Sequence, residues 1–181
     1  MNVFIKWASR KYALTPRLLV LLPAGVLFVY LIPLALIKPV PKLDQLFSFP
    51  PLPSGIGAAL VGWALIVFGA GFAFWSILAQ IDKAQGTPLP MVPTQTLLVT
   101  GPFQYCRNPM ALGTVMLYMG ISIAAGSLSS IIVVALFALC LLLYIKKIEE
   151  RELAERFGQA YLDYKAATPF IIPFIKVWKK R

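Results

Sequence analysis

Two short segments of this chain gather side chains able to do chemistry. The first reads Gly101-Pro102-Phe103-Gln104-Tyr105-Cys106-Arg107-Asn108-Pro109-Met110, and the second opens on Glu149-Glu150 and holds four of the chain's seven acids by Glu155. Each has a plain structural reading as well. A run of charges after an apolar helix is commonly a solvated face, and Glu152 can pair with Arg156 one turn further on. Arg107, ahead of an apolar run, is equally placed to anchor topology. Cys106 reads as a small apolar filler. The chain contains no histidine, so no histidine general base operates in it, and no set of metal ligands stands out. Arginine and acids matter together only if the intervening chain brings them to one place.

The elements that would do so are written in the hydrophobicity. With 59% hydrophobic and 13% charged residues, the composition lies far from that of soluble domains. The apolar residues are segregated into charge-free runs: Leu18 to Ile37, Gly55 to Ala79, and everything between Arg107 and Lys146. The first two suit single crossings of a ~30 Å hydrocarbon core. The third is too long for one helix and must fold back. The small polar cluster Ala125-Gly126-Ser127-Leu128-Ser129-Ser130 marks the turn. The expected fold is therefore all-α and integral to the membrane, with four transmembrane helices over 18–37, 55–79, 110–124 and 128–145, the last two forming a hairpin. A cytoplasmic amphipathic C-terminal helix should follow, its apolar face set by Leu153, Phe157, Tyr161 and Tyr164.

The net charge of +10 does not point to nucleic acid, because the basic residues crowd beside the apolar runs. Lys6, Arg10, Lys11 and Arg17 precede the first run, and nine more follow the last. By the positive-inside rule both termini are cytoplasmic, which an even number of spans requires. Residues 1–17, with Phe4, Trp7 and Tyr12 among the charges, read as an interfacial segment, and the first apolar run is too long for a cleaved leader. Pro23 and Pro33 in the first span need neighbours to satisfy the carbonyls they free. Gly55, Gly57, Gly62, Gly69 and Gly71 read as packing glycines of the second. The segment 80–109 is rich in proline yet carries Leu89, Met91, Val92, Leu97, Leu98, Val99 and Phe103, so it should pack rather than float. With no repeat and no linker, 1–181 is read as one membrane domain ending in the cytoplasmic tail 146–181. The two cysteines lie where no disulfide is expected.

Order and spacing of the two segments resemble the membrane methyltransferases that include isoprenylcysteine carboxyl methyltransferases and phospholipid N-methyltransferases. The residues that carry the likeness are Gly101-Pro102-Phe103-x-Tyr105-x-Arg107-Asn108-Pro109-Met110, then Glu149-Glu150, Phe157-Gly158-x-x-Tyr161-x-x-Tyr164, and Phe170-Ile171-Ile172-Pro173. Gly86-Thr87-Pro88 and Leu97-Leu98-Val99 add a bacterial-type flavour, which implies a bacterial or archaeal cell membrane, or the endoplasmic reticulum in a eukaryote. Two positions depart from the family pattern: Asn108 stands where histidine is frequent, and Ala111 where an aromatic is.

The resemblance implies transfer of a methyl group from S-adenosyl-L-methionine to a lipid-like or membrane-soluble acceptor, a carboxylate, thiol or amine. It places the cofactor among Leu98, Val99, Phe103, Tyr105, Arg107, Asn108, Pro109, Met110, Glu149 and Glu150. Arg107 or the amides at the third span would take the carboxylate, either glutamate the ammonium and ribose hydroxyls, and Leu98, Phe103 and Tyr105 the adenine. Without a histidine, the acceptor is expected to be nucleophilic already, or to react through alignment alone. A scaffold of the same fold without activity is the other reading. A channel or transporter is disfavoured, since no span contains a charge.

Overall fold

The computed structural model describes residues 14–53, 55–85, 87 and 94–173. Phe4, Trp7 and Tyr12, the segment Pro88 to Pro93 with Leu89, Met91 and Val92, residues Ser54 and Gly86, and the tail beyond Pro173 lie outside the described residues. Among the described residues there is no strand; the elements are α1 (Leu14–Gly25), a π-helical segment (Val26–Leu31), α2 (Ile32–Ile37), α3 (Lys42–Leu46), α4 (Ile56–Asp82), a 3-10 turn (Gly101–Gln104), α5 (Pro109–Ala124), α6 (Leu128–Tyr144), a second π-helical segment (Ile145–Glu149), α7 (Glu150–Phe157) and α8 (Gln159–Ala167). Helical stretches within Arg17–Leu46, Ile56–Asp82 and Leu128–Phe157 are long and apolar enough to cross a membrane. α5 is apolar but shorter, with 16 residues.

α4 and α5 form the tightest pair, and glycine is the reason. A Cβ on Gly69 would lie 2.5 Å from the Leu117 nitrogen, one on Gly113 2.5 Å from the Ala73 nitrogen, and one on Gly120 2.6 Å from the Gly62 oxygen. Two glycines seven apart on each helix thus put backbone against backbone in antiparallel register, the usual device where lipid supplies no hydrophobic drive. Only Gly62 and Gly69 of the five glycines expected to pack do so. Gly57 and Gly71 face open space, and Gly55 sits at the helix start with φ +148°.

α2, α5 and α6 meet at Leu36, Tyr118 and Val134, with Ile32, Leu117 and Phe137 around them. The Tyr118 and Phe137 rings lie 5.9 Å apart. Polar groups in this region are tied to backbone: Ser130 Oγ donates to the Leu36 carbonyl at 2.8 Å and Ser122 Oγ to Tyr118 at 2.8 Å. The hairpin turn falls where the small polar cluster predicted it. Gly126 takes φ +65°, and Ser127 caps α6 by accepting from the Ser130 amide at 3.1 Å. From α3, Asp44 Oδ1 accepts from the Ser129 amide at 2.7 Å.

The first apolar run shows how a proline is accommodated. In the π segment the Ile32 amide reaches back five residues to the Leu27 carbonyl. The next bond of that ladder would come from residue 33, but Pro33 has no N–H. The Phe28 carbonyl is therefore left over, and Tyr118 Oη donates to it at 2.7 Å.

The continuous amphipathic helix expected after the last span is interrupted. Gly158 adopts φ 56° and ψ −133°, a backbone state that favours glycine. α7 ends there and α8 leaves in a new direction. Leu153 and Phe157 consequently share no uninterrupted face with Tyr161 and Tyr164.

Candidate functional site

The two sequence segments meet at one end of the bundle. Pro109 opens α5, so Arg107 and Asn108 stand just ahead of its first turn, and Glu149 and Glu150 follow α6 across the hairpin. Arg107 Nη1 pairs with Glu150 Oε1, and Lys165 Nζ reaches Glu150 Oε2 at 2.8 Å. The Arg107 and Glu150 side chains are 11% and 5% exposed, so this is an internal ion pair with a second cation at its solvent side. Arg107 Nε, also buried, has no hydrogen-bond partner.

The second π segment decides which glutamate points inward. The Glu150 amide bonds to the Ile145 carbonyl five residues back, and this wider turn carries Glu150 onto the buried side with Ile145. Glu149 stays partly exposed and belongs to none of the four ion pairs among the described residues.

The chain after α8 is strapped across the same place. The Arg107 amide donates to the Pro169 carbonyl at 2.9 Å, and Asn108 Nδ2 donates to the Phe170 carbonyl at 2.8 Å. The Arg107 guanidinium lies 5.5 Å above the Phe170 ring centre. Tyr164 Oη donates to the Phe103 carbonyl at 2.6 Å. Tyr161 and Tyr164 are buried with rings 6.4 Å apart, so they dock the tail helix. Burial raises both phenols, Tyr161 to about 12, and each remains a hydrogen-bond donor. Cys106 is fully buried and desolvation pushes its thiol up to about 11. It fills space and is no nucleophile.

The remaining expected residues distribute around this centre. Tyr105 sets its ring 6.3 Å from that of Trp75 on α4, and Pro109 is buried at the start of α5 with Met110 beside it half-buried. Leu98 and Val99, in irregular backbone, line a separate cavity of about 390 Å³ with Lys83, Thr96, Leu97, Thr100 and Gln104. That cavity's wall is attached to the end of α4: the Gln95 amide donates to the Ala84 carbonyl at 2.7 Å and Thr96 Oγ1 to the Lys83 carbonyl at 3.2 Å. Arg156 pairs with Glu152 at 3.2 Å, as their spacing predicted, and also donates to the Thr94 carbonyl, tying α7 to the same loop. Lys83 and Lys165 carry no signal in the sequence, and Phe170 enters there only as part of the family likeness. Lys165 is one helix and a glycine break away from its partner, and no local spacing rule connects them.

A tight ion pair thus joins two segments that frame a helical hairpin, at the end of an apolar bundle. The family model of the phospholipid methyltransferases (PEMT) matches residues 58–160. The chain belongs to the phospholipid methyltransferase family. The matched region runs from α4 through the start of α8 and so contains the glycine-packed pair, the hairpin and both halves of the ion pair. No curated protein and no solved structure gives a significant match to the chain. Membership of the phospholipid methyltransferase family, together with three helices able to cross a bilayer, makes this a membrane methyltransferase.

Proposed function

We propose that this protein transfers the methyl group of S-adenosyl-L-methionine to a membrane-lipid acceptor at the cytoplasmic face, in the space framed by Leu98 to Met110 and Glu149-Glu150. The observation that carries this reading is the Arg107–Glu150 pair, which joins the two chemically equipped segments across the whole α5–α6 hairpin. In this reading α5 is a fourth crossing, shortened to ~24 Å, and both termini lie with the site on the cytoplasmic side, as the basic residues beyond α6 favour.

The residues present fit that cofactor. Arg107 Nε is a buried donor with no partner, the kind of group a carboxylate satisfies. The Leu97 to Val99 wall offers apolar surface beside the hydroxyls of Thr96 and Thr100, in a cavity of about 390 Å³, a size that suits a cofactor. When bound, S-adenosyl-L-methionine supplies a sulfonium-activated methyl that a nucleophile takes in one displacement. The protein's share of the work is orientation. Glu150 and Lys165 hold the guanidinium of Arg107 in one position, and the Phe170 ring covers it from solvent. Alignment with exclusion of water accounts for catalysis without a histidine.

A second reading, a non-catalytic scaffold of the same fold, draws on the same ion pair, since Arg107 and Glu150 already neutralise one another. Calorimetry with S-adenosylhomocysteine on the detergent-solubilised chain separates the two. Saturable binding that Arg107→Ala weakens supports the transferase, and absence of any binding supports the scaffold. Incubation of membranes with labelled methyl donor, followed by lipid extraction, then identifies the acceptor.

A further inference from the structure

The cavity at the end of α4 has an ionic feature of its own, separate from the Arg107 centre. Lys83 is the C-cap of α4, exposed, and part of none of the four ion pairs among the described residues. It lines the cavity with Thr96, Thr100 and Gln104, and no acidic side chain shares that lining. The wall is not a loose loop, because Thr96 Oγ1 and the Gln95 amide both bond to carbonyls at the helix end. Leu97, Leu98 and Val99 add an apolar side. A single cation flanked by the Thr100 hydroxyl and the Gln104 amide, next to apolar surface, is complementary to an oxyanion attached to a less polar body.

We propose that this cavity is an oxyanion subsite in which Lys83 binds a carboxylate or phosphate, with Thr100 and Gln104 as neutral partners. This rests on the reading of Leu98 and Val99 as a wall of the methyl-transfer site and adds to it a cation that the motif does not contain. Arg107 does not line this cavity, so among the lining residues Lys83 is the cation whose charge is open to an incoming group. Two ligands of that reaction carry an oxyanion, the amino-acid end of the methyl donor and the phosphate of a phospholipid acceptor. A lysine at this position also complements the negative end of the α4 dipole, a purely structural role that predicts a change in thermal stability and none in ligand affinity.

The test uses the full chain in phosphate-free maltoside micelles and measures dissociation constants for S-adenosylhomocysteine, for 5′-methylthioadenosine, which lacks the carboxylate, and for dihexanoyl phosphatidylethanolamine. Lys83→Gln is expected to weaken one oxyanion ligand by roughly ten- to a hundredfold, to leave methylthioadenosine binding unchanged, and to be rescued by Lys83→Arg. Loss confined to S-adenosylhomocysteine assigns the subsite to the carboxylate, and loss confined to the lipid assigns it to the phosphate. Equal affinities of parent and Lys83→Gln for both oxyanion ligands overturn the subsite and leave the methyltransferase reading standing. A parent chain that binds none of the three overturns both.

Discussion

Arg107 and Glu150, 43 positions apart, share a nearly solvent-free ion pair whose far oxygen is held by Lys165. Removing Glu150 leaves Arg107 as an uncompensated buried charge, which costs about 3–5 kcal/mol, whereas removing Arg107 leaves Glu150 paired with Lys165 and should cost less. Arg107→Met and Glu150→Gln are each expected to abolish methyl transfer and to lower the thermal midpoint in detergent. Lys165→Met, whose side chain is 43% exposed, should lower it far less. Combining Arg107→Met with Glu150→Gln should cost less than the sum of the two, because both remove the same interaction. Additive losses would show that the pair does not couple the segments.

Asn108, where the family often has histidine, ties down Phe170 through its amide. Asn108→Ala removes that donor at a cost of about 1 kcal/mol, concentrated on the strap. Hydrogen exchange should accelerate around Thr168 to Phe170 while α4 and α5 stay protected. Uniform acceleration over the whole bundle would contradict the assignment.

The α4–α5 seam predicts opposite outcomes for chemically identical changes. Gly113→Ala drives a methyl into the Ala73 backbone, and overpacking of this kind costs about 1–3 kcal/mol or more. Gly71→Ala meets open space on the same helix pair, so it should be neutral or stabilising by up to about 1 kcal/mol through helix propensity. Unfolding in mixed micelles reads both.

Tyr118 and Pro33 form a testable pair through the Phe28 carbonyl. Tyr118→Phe strands that carbonyl and should cost about 1–2 kcal/mol. Adding Pro33→Ala supplies the missing backbone N–H and should recover part of that loss. If Pro33→Ala deepens the loss, the π segment does not depend on the missing donor.

Cys106 gives the pH dependence a definite sign. Its thiol is pushed from 9.0 to about 11 by burial, so between those values the unfolded chain gives up a proton that the folded chain keeps. Stability from this group is therefore constant below about pH 9 and falls as the pH rises toward 11. Cys106→Ala should flatten that part of the profile. Cys106 should also resist maleimide at pH 8 until denaturant is added, and labelling of the native chain would contradict its burial.

Most of the architecture was legible in the sequence because lipid imposes one-dimensional rules. Charge-free runs predicted where the long apolar helices lie, and the Ala125 to Ser130 cluster predicted the hairpin turn, since each depends on neighbouring residues only. The likeness around Gly101 to Met110 and Glu149-Glu150 led to the family now shown by residues 58–160. Legibility stopped where partners come from elsewhere in the chain. Gly62 and Gly69 look no different in sequence from Gly57 and Gly71 until α5 is laid against one side of α4. Gly158 falls inside the helical pattern of Leu153 to Tyr164, because the backbone state it permits shows only in the folded chain. The choice between Glu149 and Glu150 depends on one extra residue in a turn of helix, which no periodicity of 3.6 anticipates. Residue types alone determined that this chain enters a membrane and carries an arginine and acids at the ends of one hairpin. The tertiary structure decided that Glu150 takes the arginine, that Lys165 and Phe170 close over them, and that Lys83 is left with an open charge, because ion pairing and burial are settled by which surfaces meet.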